Sequence, residues 1–122
     1  MGVSGPVAVE LSDDERDLLW SGLHEWGGPA SATRALAQVM GFADVEDLLR
    51  GNGRRLRDAL RRGDALPAAD WRRVLLATEI VFASDVVGSG IDWSITTGLS
   101  DEQTVRLLRS VQRKLGRAVH QG

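Results

Sequence analysis

Two histidines, a glutamate inside an apolar run, two Gly-x-Gly pairs and the Asp92-Trp93 step are the places where this chain could build chemistry. Histidine could serve as a general base or a metal ligand, but His24 and His120 stand far apart and neither lies in a spacing such as HExxH. No serine has the glycine-flanked context of a nucleophile elbow, so a Ser–His pair is not expected. His24, one turn beyond Trp20, reads as a surface residue. His120 falls at the end of a helical pattern, where a cation complements the helix dipole.

Gly51-Asn52-Gly53 and Gly88-Ser89-Gly90 both begin like a dinucleotide fingerprint, but the third glycine position holds Leu56 and Trp93 respectively. Neither follows a convincing strand, so both read as helix terminators. Phosphate-binding GxxxxGK[ST] is absent. Glu79 lies within Leu75-Leu76-Ala77-Thr78-Glu79-Ile80-Val81-Phe82, where an unpaired carboxylate is costly to bury. It is expected to pair with an arginine of a neighbouring helix or to face solvent at the edge of the stripe. The sharper alternative is a buried acid lining a pocket. The hydroxyl- and glycine-rich segment 88–98 carries Asp92 beside Trp93, either a polar-aromatic contact point of the kind found at protein interfaces or a tryptophan that covers the core while the serines and threonines satisfy local turns.

With no cysteine in the chain, disulfides, thiolate catalysis and zinc-thiolate sites are excluded, and a reducing compartment is favoured. No metal site, no cofactor and no enzymatic activity are expected. Met1 to Leu11 has neither the basic start nor the apolar run of a signal peptide. Val74–Val87 contains Glu79 and Asp85 and is too short to span a bilayer. The chain is therefore expected to be cytoplasmic, with no membrane partner. Lys114 is the only lysine among fifteen Lys and Arg residues, a bias of GC-rich coding such as that of actinobacteria. Arginine abundance is thus not in itself a sign of phosphate recognition.

The elements that must position these residues are read as all-α. The 122 residues suffice for a single helical domain over 1–122, with 1–10 either flexible or a short strand and 120–122 frayed. Five helical segments are expected, forming a compact bundle around a central apolar helix near 67–87. The first opens on a capping box, Ser12 with Glu15, and stops at Gly27-Gly28-Pro29. A second runs from about Ser31 to Met40, with Gly41 as its cap. A third starts at Asp44, and Gly51-Asn52-Gly53 either divides residues 44–62 into two helices or interrupts one. Pro67 suits the first turn of the fourth. The last begins with a second capping box, Ser100 and Gln103, and carries the stripe Leu107, Leu108, Val111, Leu115 and Val119. Alternation in Val7, Val9, Leu11 and in Ile91, Trp93, Ile95 leaves open a small two-stranded patch over about 7–11 and 91–95.

Charge is divided along the chain. Between Glu10 and Glu25 six acids face only Arg16, whereas Arg50–Arg73 holds eight arginines against Asp58, Asp64 and Asp70. These segments either face each other or form two oppositely charged sides. Ala37 and Gly41 have the spacing of a helix-turn-helix, but the would-be recognition helix begins Asp44-Val45-Glu46-Asp47 and would repel phosphates. A net charge of −2 and a pI near 5.6 argue the same way.

The expected function is a small non-catalytic protein–protein interaction module of a bacterial cytoplasm, with Asp13, Asp14, Asp17, Asp92 and Trp93 as partner contacts. An immunity- or antitoxin-like inhibitor is one concrete form. The alternative is a nucleic-acid accessory protein acting through Arg54, Arg55, Arg57, Arg61 and Arg62. A second alternative is a small-ligand site or enzyme near Glu79 and the 88–98 loop. A homodimer through the last helix is compatible with all three.

Overall fold

Ser12 starts the first helix as its spacing predicts: its hydroxyl accepts from the Glu15 amide at 3.1 Å, and Glu15 Oε1 accepts from the Ser12 amide at 2.8 Å. The computed structural model describes residues 5–28, 30–84 and 93–120, and it is mostly helical. Helix α1 spans Asp13–His24 and continues into a 3₁₀ turn, Glu25–Gly27. Thr33 caps α2 (Arg34–Val39) and Asp44 caps α3 (Val45–Leu49), each accepting from the amide three residues on. Gly41, at φ +96°, ends α2 with Phe42 N–H donating to Ala37 carbonyl.

Residues 44–62 form two helices. Asp47 sets the break: its carboxylate accepts from the Ala43 amide and from both the backbone and side-chain nitrogens of Asn52, each at 2.9 Å. Those amides, Ala43's foremost, hold the Asp47 carboxyl below its usual range. Helix α4 (Asn52–Arg62) then buries Leu56, Ala59 and Leu60 and ends at Gly63, φ +74°. Helix α5 is Ala68–Ala83, α6 is the short Trp93–Thr97, and α7 is Asp101–His120, opened by the Ser100–Gln103 box.

Among the described residues the two-stranded patch is not found. Val7 instead makes an isolated antiparallel bridge with Leu66, donating to its carbonyl at 2.8 Å and accepting from its amide at 3.2 Å. Residues 93–97 are a helical turn, and residues 91 and 92 lie outside the described residues. An alternation of three apolar residues was too short to outweigh the helical context of Trp93.

Helix α1 packs against α4, α5 and α7. Helix α5, the most apolar by sequence, buries Trp71, Val74, Ala77, Thr78 and Val81, yet Leu75, Leu76, Ile80 and Phe82 are only partly covered. The α1–α5 crossing is close because Gly22 meets Thr78: a Cβ there would overlap Thr78 Oγ1 and stand 2.8 Å from its Cα. Three buried tryptophans each find an acceptor for the indole N–H. Trp26 donates to Ala77 carbonyl, Trp71 to Val7 carbonyl and Trp93 to Thr104 Oγ1. Among the described residues no helix is long and apolar enough to cross a membrane.

Candidate functional site

Of the expected partner contacts, the acidic trio is presented to solvent. Asp13, Asp14 and Asp17 are exposed, and their spacing places them along one side of α1. Asp13 is fully exposed and lies 3.7 Å from Arg16; among the described residues no ion pair joins the trio to the arginine segment. Ion pairs to that segment therefore do not neutralise the trio among the described residues, although α1 and α4 are packed together.

Trp93 does not belong to an exposed contact point. It is fully buried, meets Phe82 edge-on at 5.6 Å and donates to Thr104 at 2.7 Å. Its aromatic surface serves the core, while Asp92 lies outside the described residues.

The arginines of the nucleic-acid alternative are mostly engaged within the chain. Arg55 makes a bidentate pair with Asp70, both distances 3.0 Å, and Arg73 approaches the same carboxylate at 2.7 Å. Asp70 is nearly enclosed; burial pushes its carboxyl up, but the two guanidinium groups outweigh this and hold it below the usual range. Arg57 donates to Leu49 carbonyl at 2.9 Å, Arg62 to Asp64 at 2.9 Å, and Arg61 lies 4.2 Å over the Trp20 ring. Trp20 also stacks with His24, centroids 4.5 Å apart, and His24 is exposed, as its sequence position predicts. Arg54 is exposed and, among the described residues, has no side-chain partner.

Glu79 lies on a groove between α5 and α7. Trp71, Leu75 and Glu79 recur every fourth residue on α5, and Arg109, Gln112, Gly116 and Val119 recur at three- and four-residue steps on α7. They enclose a hollow of about 350 Å³. A second, of about 260 Å³, continues past Phe82, Val105 and Leu108. Glu79, Arg109 and Gln112 border both. Glu79 accepts from Gln112 Nε2 at 2.6 Å, and Gln112 Oε1 accepts from Arg109 at 3.1 Å. The glutamate thus reaches arginine through a glutamine rather than by direct pairing.

The most enclosed acid on α1 is Glu15, which accepts from Lys114 Nζ at 2.6 Å while its other oxygen makes no hydrogen bond. Burial would raise its carboxyl, but Lys114, the nearby Ser110 hydroxyl and the Ser12 amide outweigh that, bringing it to about 2. The pair spans 99 residues, and nothing in the sequence beyond Lys114 being the sole lysine marks it.

No group of three or more histidines and carboxylates among the described residues is placed to hold a metal ion. Comparison with known protein families, with curated proteins and with solved structures returns no match.

Proposed function

We propose that this chain is a small, non-catalytic protein-recognition module of a bacterial cytoplasm, presenting the acidic side of α1 to a basic protein partner. The observation that carries this reading is the exposure of Asp13, Asp14 and Asp17, unpaired with the arginine segment, on a helix whose remaining sides are held by α4, α5 and α7. A carboxylate cluster fixed on a rigid helix steers an oppositely charged surface and sets its register. An inhibitor of the immunity or antitoxin kind is one form such a module takes. The nucleic-acid alternative is weakened by the internal engagement of Arg55, Arg57, Arg61 and Arg62.

The test is affinity capture from native-host lysate at low and moderate salt, with wild type beside the triple variant Asp13→Lys, Asp14→Lys, Asp17→Lys. A stoichiometric protein retained by wild type is expected to bind the variant with association slowed roughly tenfold or more. A protein captured equally by both would remove the acidic side from consideration. Nucleic acid that washes off with salt would turn attention to Arg54.

A further inference from the structure

We propose that the hollow between Trp71 and Val119 is a binding site for a small apolar carboxylate, its body against Trp71, Leu75 and Leu115 and its headgroup at Arg72. The site is independent of the acidic side of α1. Its volume of about 350 Å³ falls in the range of small-ligand pockets, and apolar side chains supply much of its wall. Arg72 borders it, is exposed, and has no carboxylate within ion-pair distance among the described residues. A planar guanidinium matches one carboxylate through two parallel hydrogen bonds. Glu79 stands two helical turns further along α5, about 10 Å by helical rise, and is occupied by Gln112. It closes the far end of the hollow without meeting the headgroup.

Gly116 is a second, separate observation. It lies inside α7, where glycine is among the poorest helix formers, and a Cβ placed on it would meet nothing within 4 Å. Packing among the described residues does not require a glycine there. What its bare backbone does is leave the wall of the hollow open between Leu115 and Val119.

The experiment measures thermal unfolding of the full chain against octanoate, with octanol and octylammonium as uncharged and charge-reversed probes. Octanoate should raise the melting temperature saturably, octanol more weakly, and octylammonium not at all. Arg72→Gln should weaken octanoate roughly tenfold or more and leave octanol unchanged. Gly116→Leu, which fills the hollow, should abolish the response to both. Should that variant fail to fold, Gly116→Ala, expected to melt higher than wild type, and Arg72→Gln decide the matter by weakened octanoate binding. The proposal is overturned by no saturable response to octanoate, by an equal response to octylammonium, or by binding that survives Gly116→Leu. It is equally overturned if sedimentation finds a dimer that Gly116→Leu dissociates, which would give the groove to a second copy of the chain.

Discussion

Replacing Glu15 by glutamine removes one charge from the junction of α1 and α7 while retaining a side-chain oxygen for the Ser12 amide. The carboxyl is lowered from 4.5 to about 2 in the folded chain. At about 1.36 kcal/mol per pK unit, that difference corresponds to about 3 kcal/mol as an upper limit. Lys114 is 38% exposed, so solvent weakens its attraction, and a loss of about 2 kcal/mol in Glu15→Gln near neutral pH is expected. Because the folded-state value is depressed, the stabilisation is fully present above about pH 4.5. It is lost as pH falls through that value towards about 2, where Glu15 takes up its proton in the folded chain as well. Urea unfolding of wild type and variant in parallel isolates this effect from the other carboxylates, which titrate in both. The gap between the two should be widest near neutral pH and close at the acid end. A gap that stays constant from about pH 6 to about pH 2 would refute the reasoning, since it would mean that shape rather than charge holds the junction.

Gly22→Ala should destabilise by about 3 kcal/mol, the upper end for overpacking, because the new methyl meets the Thr78 Cα, which no rotamer change can move. Adding Thr78→Ala should restore only part of the lost melting temperature, and full recovery would show that the α1–α5 spacing is not set by backbone contact. Asp70→Asn should cost about 2–4 kcal/mol by leaving Arg55 and Arg73 without their carboxylate, and more than Arg55→Gln, since Arg55 is 47% exposed and can be solvated when unpaired. Calorimetry of both variants checks the order, and the reverse order would remove Asp70 as the organising charge. Gly116→Ala should raise the melting temperature by roughly 3–5 °C, the helix-propensity gain of about 1 kcal/mol, and no rise would mean the glycine is needed for packing.

What was legible in the sequence is what short-range chemistry determines. Ser12 with Glu15 and Ser100 with Gln103 form their reciprocal bonds because a hydroxyl and a longer acceptor three residues apart meet the free amides of any helix start. The stripe from Leu19 through Leu23 to Trp26 is buried for the same local reason, as periodicity alone gives a helix its core side. The pairing of Glu15 with Lys114 depends on how α7 lies against α1, and no spacing encodes that. For Trp93 the sequence leaves both an interface contact and a core position open, because an indole beside an acid has the same composition in either. Its burial, the acceptor on Thr104 and the ring of Phe82 distinguish the two. Helix α5 misleads in a related way: its nearly continuous apolar run suggests burial on every side, yet Leu75 and Phe82 are only partly covered and line an open groove.

Glycines within the helices sharpen that last point. At Gly22 the neighbouring helix occupies the space of a side chain, and at Gly53 a Cβ would overlap Leu48 carbonyl at the junction of α3 and α4. Both positions cost helix propensity and return close packing in exchange. Gly116 carries the same cost, and among the described residues no atom beyond its own helix backbone is near enough to justify it. A residue that weakens its helix and supports no internal contact is explained by what its absence of side chain leaves open. Here that is the wall of the α5–α7 groove, beside an arginine to which no carboxylate of the described residues is paired.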